Sequence, residues 1–275
     1  MLYASSGTQL SQVINKETFG VPYYRPVSQE CAVFEHAYAN RLPLLLKGPT
    51  GSGKSRFVEH MAATVGVPLI TVSCHDETSA VDLLGRYLVQ GSETVWMDGP
   101  MTRAVRTGSI LYIDEIAEAR PDTIVALHSL TDYRRVLFVD RHDEVLSAPP
   151  TFMLIASFNP GYQKGWKELK PSTRQRFVSI GFDYPSEQVE AEIISAESSL
   201  ETSQIKKLIT LANKIRNLVE LGLTETVSTR LIVNAAHLMK GGLPPRLACD
   251  VAIVQPITDD LETARALRDL IALIF

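Results

Sequence analysis

From Val21 to about Tyr184 short apolar runs alternate with longer stretches of helical character. The runs are Leu42–Leu46, Leu69–Val72, Ile110–Ile113, Phe152–Ala156 and Phe177–Ile180, each with little polar alternation. That is the pattern of strands covered on both faces. Strands spaced by helical stretches predict a parallel sheet with crossover helices, an α/β fold.

Two segments break this rhythm. Arg86–Gln90 and Glu93–Met97 flank Gly91 and Ser92, a two-residue link suited to a tight hairpin turn. Val136–Asp140 and Glu144–Leu146 flank Arg141, His142 and Asp143, a second expected hairpin. Both are expected to project from the core, because neither can join the sheet without displacing a crossover. Beyond Pro185 the texture turns helical: Ile205, Leu208, Ala212, Ile215 and Val219 recur at helical spacing. Further helical stretches cover about 187–197, 228–240, 245–253 and 260–274, with breaks expected at Gly241 and Gly242 and at Pro256. The expected organisation is a loose polar arm (1–20), an α/β domain (21–184) and a smaller all-helical domain (185–275).

Composition narrows the class. The 275 residues carry 27 basic and 31 acidic side chains, a net charge of −4, so nothing draws the chain in bulk to nucleic acid or an anionic membrane. Hydrophobic content of 45% and charged content of 21% are near globular averages and argue against disorder. Cys31, Cys74 and Cys249 are far apart and in no CxxC pair, and all three are expected to be small buried hydrophobes. With no basic patch before an apolar core at the N-terminus, and no apolar run near the ~18 residues of a membrane helix, a soluble cytoplasmic protein is expected.

The chemistry starts at Gly48, Pro49, Thr50, Gly51, Ser52, Gly53, Lys54 and Ser55, which fit GxxxxGK[ST] between a strand and a helical stretch starting near Arg56. Glycines let backbone N–H groups close around phosphate oxygens, and a helix N-terminus adds partial positive charge. Lys54 would reach the β- and γ-phosphates of ATP, and the Ser55 hydroxyl would ligate Mg²⁺. Ile110–Ile113 then ends in Asp114 and Glu115. The first carboxylate can hold the Mg²⁺ water shell; the second can orient and polarise an attacking water, favouring hydrolysis over kinase-type transfer. Asn159, before Pro160 at another strand end, is a turn residue or a hydrogen-bond partner of the lytic water. Arg174 and Arg176, just ahead of a strand, are solvated surface residues or stabilise charge on the transferred phosphoryl group. Arg230, opening a helix of the second domain, could reach the same phosphates.

Taken together these positions resemble an AAA+ ATPase, with Asn159 as sensor one, Arg176 before Phe177 as the finger and Arg230 as sensor two. The two hairpins resemble the helix-2 and pre-sensor-one inserts of the MoxR group. Closer still, Pro22-Tyr23-Tyr24-Arg25-Pro26, Leu45-Leu46-Lys47-Gly48-Pro49-Thr50-Gly51, Asp82-Leu83-Leu84-Gly85-Arg86-Tyr87, Asn159-Pro160-Gly161-Tyr162-Gln163 and Gln255-Pro256-Ile257-Thr258-Asp259-Asp260 resemble the CbbQ/NorQ/NirQ family, from about residue 21 to the C-terminus. Phe158, where tyrosine is common, and Ile116 with Ala117, where valines are common, depart from that pattern without touching phosphate chemistry.

The resemblance implies an α/β AAA+ P-loop NTPase core with hairpin inserts followed by a helical lid, and a ring, usually hexameric, that activates a metabolic enzyme. It implies a partner with a von Willebrand factor A domain. The client is rubisco, freed of inhibitory sugar phosphates, or nitric oxide reductase, with rubisco favoured. Sites between subunits would take Arg176 as the trans finger, with Arg174 as second choice. Against this stand a small-molecule or nucleic-acid kinase, disfavoured by the acid pair and by Arg230 in a helical lid; a nucleic-acid motor, disfavoured by the charge; and an ATP-binding scaffold without hydrolysis. Tyr87 and Trp96 on the first hairpin either pack across strands or grip a client in a ring pore. His75, Asp76 and Glu77 read as a loop, since three adjacent side chains do not converge on one metal ion without a sharp bend.

Overall fold

In the computed structural model, which describes residues 21–160, 169–219 and 226–275, each expected apolar run becomes a strand of one parallel sheet. The strands are β1 (Leu44–Lys47), β2 (Leu69–Ser73), β5 (Ile110–Asp114), β8 (Met153–Phe158) and β9 (Val178–Gly181), laid side by side as β2-β5-β8-β1-β9. Leu44, Leu45 and Leu46, Ile110, Leu111 and Ile113, and Ile155 and Ala156 are wholly buried, which explains the lack of polar alternation.

Strand ends differ from the sequence reading in one instructive place. Leu42 and Pro43 fall outside β1, and Leu42 is exposed. Pro43 has no N–H for a ladder; its carbonyl instead accepts from Val178 N at 3.0 Å. The helix after the phosphate loop begins at Lys54 rather than near Arg56 and runs Lys54–Val65.

Both expected hairpins form two-stranded sheets outside the parallel sheet: β3 (Gly85–Gln90) with β4 (Glu93–Asp98), and β6 (Val136–Val139) with β7 (Glu144–Ser147). They are fastened together. The Trp96 indole stacks on His142 with centroids 4.8 Å apart, Tyr87 Oη meets His142 Nδ1 at 3.1 Å, and Arg106 binds Asp98 and Glu144. Trp96 is thus engaged in packing between the hairpins, while Tyr87 is exposed at its rim.

Two compact units emerge. One contains Glu30–Lys47 and Ser55–Gly181; the other contains Tyr23–Gln29, Gly48–Lys54 and Phe182–Phe275. Each has its own hydrophobic core. In the second, helices Glu187–Ser198, Thr202–Val219, Thr229–Lys240 and Leu261–Ile274 bury Ile205, Leu208, Ala212 and Ile215 as the spacing predicts.

Two expectations need correction. Pro256 does not end a helix where expected. Pro245–Cys249 continues through a π-helical segment, Asp250–Val254, into Gln255–Ile257. A wider turn relieves the clash between a proline ring and the carbonyl four residues back, and the helix ends one residue beyond Pro256, at Ile257. Cys31 is half-exposed; Cys74 and Cys249 are buried as expected. The 1–20 arm and Gly161, Tyr162 and Gln163 of the Asn159 motif lie outside the described residues.

Candidate nucleotide site

The phosphate loop leaves β1 at Gly48 and enters its helix at Lys54. Gly51 sits at φ +72°, in the left-handed region, and an added Cβ would meet Ser228 Cβ at 2.5 Å and its Oγ at 2.6 Å. Only glycine fits there. Ser228 caps the helix Thr229–Lys240 by accepting from Leu231 N, and Arg230, exposed in its first turn, stands beside the loop: its Cβ lies 3.5 Å from that added atom. Gly48 is packed as tightly, against the Phe182 carbonyl. Lys54 is buried, its ammonium donating to the Gly48 and Pro49 carbonyls at 2.8 and 2.9 Å, while Ser52 Oγ donates to Pro49 O. Thr50 O accepts from the Tyr184 hydroxyl at 3.2 Å.

Ser55, next along the helix, faces the acid pair. Its Oγ lies 3.4 Å from Asp114 Oδ2 and 3.3 Å from the Tyr112 hydroxyl. The other carboxylate oxygen, Oδ1, accepts from Tyr112 Oη at 2.8 Å and from Ser157 Oγ. Two donors on one oxygen leave the second turned to Ser55. This pair of hard oxygens, a hydroxyl and a carboxylate, suits a Mg²⁺ ion that keeps several waters. Burial, with Asp114 beside it, pushes the Tyr112 phenol well above its ordinary range, so it remains a donor to the carboxylate.

Glu115 turns the chain out of the sheet. Its backbone is left-handed at φ +52°, a strained conformation for a residue with a side chain, and its N–H is held by Ser157 Oγ at 3.2 Å. The residue as a whole is half-buried. Asn159 follows β8, whose position beside β5 sets it at a neighbouring strand end.

The two arginines part company. Arg174 ends a short helix, Pro171–Arg174, and is exposed. Arg176 is half-buried, with Nη1 donating to His128 O at 3.4 Å and a buried Nε that has no hydrogen-bond partner among the described residues. Burial, then the Arg176 charge, lowers the His128 pKa, and the imidazole meets Thr173 Oγ1 at 3.3 Å.

Sequence reasoning missed Tyr112, Ser157 and Tyr184. The first two carry a signal in hindsight: each is a lone hydroxyl in a buried apolar strand, where an unpaired polar group is costly.

With this geometry in view, likeness to known proteins becomes informative. Residues 43–177 match the family described as AAA domain (dynein-related subfamily), and residues 190–274 match CbbQ/NirQ/NorQ C-terminal. The NorQ protein of Paracoccus denitrificans (strain Pd 1222) is 57% identical over 254 residues, covering 92% of this chain and 94% of that protein. The chain belongs to the CbbQ/NirQ/NorQ family of AAA+ ATPases.

The CbbQ protein of Hydrogenophilus thermoluteolus is 51% identical over 247 residues, covering 90% of this chain and 92% of the relative. A crystal structure of a protein from Cytophaga hutchinsonii ATCC 33406 shares the fold, with a TM-score of 0.50 at 18% identity, over 90% of this chain and 89% of that one. Family membership makes this a nucleotide-binding protein of the MoxR group, with an α/β AAA+ core and a C-terminal helical region. No helix among the described residues is long and apolar enough to cross a membrane.

Proposed function

We propose that the chain is an ATP-hydrolysing remodelling motor that activates a metabolic enzyme. The observation that carries this is the acid pair as built. Asp114 is fixed by two hydroxyl donors with one oxygen turned to Ser55, and Glu115 is set by its own backbone bond at the strand end.

Each residue has a role in this reading. The phosphate loop, Gly48 to Gly53, and Lys54 bind the phosphates; Ser55 and Asp114 would hold Mg²⁺, which would supply positive charge against the phosphate oxygens. Glu115 accepts a proton from the attacking water, Asn159 orients that water, and Arg230 contacts the phosphates from the helical lid. Arg176, or Arg174 as second choice, stabilises the transferring group across a subunit boundary. The exposure of Arg174 favours it for reaching another subunit, while the His128 bond of Arg176 suits a residue held in place. The motor works as a homo-oligomeric ring of hexameric type, with a von Willebrand factor A domain adaptor. The kinase, nucleic-acid motor and scaffold readings lack support from family membership.

Rubisco is the first client on this reading and nitric oxide reductase the second; relatives of the CbbQ and NorQ kinds stand at 51% and 57% identity. The test is capture from native lysate with Glu115→Gln, loaded with ATP and Mg²⁺. The variant is expected to bind ATP and to hydrolyse it at least ~100-fold more slowly, the scale of a lost general base. Rubisco with an adaptor establishes the carbon-fixation client; nitric oxide reductase subunits establish the other. Undiminished hydrolysis by Glu115→Gln overturns the mechanism.

A further inference from the structure

The second unit holds an ion pair among its helices, with its carboxylate wholly buried. Glu190 is wholly buried among the helices and takes a two-pronged contact from Arg216, Nη1 to Oε2 at 2.9 Å and Nη2 to Oε1 at 2.7 Å. Thr229 Oγ1 donates to the same carboxylate at 2.7 Å, and Arg216 Nε donates to Val227 O at 2.9 Å. Apolar residues of equal volume are often as stabilising at such depth, so what the pair contributes is a fixed geometry. It holds both ends of the segment Val227 to Thr229, just ahead of Arg230.

That geometry extends to the phosphate loop. The Arg216 guanidinium lies over the Tyr184 ring, 4.6 Å from its centroid, and the Tyr184 hydroxyl donates to Thr50 O. The peptide joining Thr50 to Gly51 is trans and planar, so engaging the carbonyl directs the Gly51 N–H to the opposite side. Without that bond the plane is easily turned over, because glycine populates both signs of φ. A turned peptide would present a carbonyl where a phosphate-binding loop needs a donor.

We propose that Tyr184 is a positioning residue that sets the Thr50–Gly51 peptide of the phosphate loop, and that the Arg216–Glu190 pair is what holds its ring in place. The inference rests on the ATPase reading above and adds to it how the loop is held ready for phosphate. Tyr184 touches the loop and not the reacting atoms. The phosphate groups are therefore the part of the ligand whose binding it governs.

The test compares wild type with Tyr184→Phe, which removes the hydroxyl and keeps the ring, and with Arg216→Lys, which keeps a charge beside Glu190 and loses the flat fork and the stacking. Steady-state ATPase, inhibition by ADP and thermal midpoint are read on the full chain. For Tyr184→Phe, KM for ATP and Ki for ADP rise together by roughly 5-fold, the worth of one net hydrogen bond. Its kcat and thermal midpoint stay near wild type. For Arg216→Lys the same KM rise appears with a lower midpoint, since Glu190 loses a paired donor. Unchanged KM and Ki in Tyr184→Phe overturn the assignment, and so does a fall in kcat alone. A wild-type chain without ATPase or ADP binding removes the underlying reading instead, which separates the two failures.

Discussion

Ser157 on β8 donates to Asp114 on the adjacent strand β5 and accepts from the backbone N–H of Glu115. One buried hydroxyl therefore fixes both acids, using its single proton on one and a lone pair on the other. Ser157→Ala is expected to lower kcat about 10-fold while ATP is still bound, and to lower stability by about 1–3 kcal/mol through the unsatisfied Glu115 N–H. Single-turnover ATPase and chemical denaturation read the two effects separately. Unchanged kcat would show that Tyr112 suffices to hold Asp114.

Gly51 and Ser228 leave no room for a side chain between them. Gly51→Ala is expected to abolish detectable nucleotide binding, because a Cβ would sit 2.5 Å from Ser228 Cβ in a backbone conformation that alanine resists. Ser228→Gly in the same chain removes the facing atoms, leaves the left-handed strain of roughly 1–2 kcal/mol and restores binding in part. ATP titration of the single and double variants checks the contact; equal loss in both would mean the strain dominates.

The arginines are separable in mixed rings. Arg176→Ala is expected to reduce ATPase by about 10³-fold or more with nucleotide binding kept, the scale of a lost finger. Arg174→Ala is compared in the same assay. A finger supplied by a neighbour is revealed by mixing: an inactive arginine variant regains activity with a Glu115→Gln subunit, since each supplies what the other lacks. Full turnover of Arg176→Ala would transfer the role to Arg174.

The thiols differ in reactivity. Burial pushes Cys74 up to about 12, with Asp114 and Glu115 adding to it, and burial alone pushes Cys249 to about 12. At pH 8 roughly 1 in 10⁴ of either is thiolate, the reactive form. Cys31, half-exposed, is raised by burial and by Glu30 and Glu35. Alkylation of the native protein at pH 8 is therefore expected at Cys31 first, and at the other two only after unfolding. Because every thiol here titrates above its ordinary value, moving to pH 9 speeds the Cys31 reaction. Peptide mass mapping reads the sites; early labelling of Cys74 would contradict the packing at the end of β2.

The extent of legibility follows from range. The phosphate loop, the acid pair and both hairpins are signalled by neighbours in sequence: glycine spacing, an apolar run ending in Asp114 and Glu115, short links of two and three residues. Pro256 was misread because a π-helical widening is set by packing around Asp250–Val254 and leaves no mark in residue type. Tyr184, Arg216 and Glu190 were invisible for a different reason. Arg216 is 26 residues from Glu190 and further still from Tyr184, and only a folded helical core brings a carboxylate, a guanidinium and a phenol into line.

What the sequence by itself determined is local chemistry: which peptide closes on phosphate, which strand ends in two acids, where strands and helices alternate. What only the tertiary structure decided is lateral order. β8 lies between β1 and β5, with Leu44 paired to Ile155 and Ile113 to Ala156, and that placement carries Ser157 to Asp114 and Asn159 to the strand end beside them. Hydrophobic periodicity says that a strand is buried on both faces. It is silent about its neighbours, because the backbone hydrogen bonds that join strands are the same whatever side chains they carry.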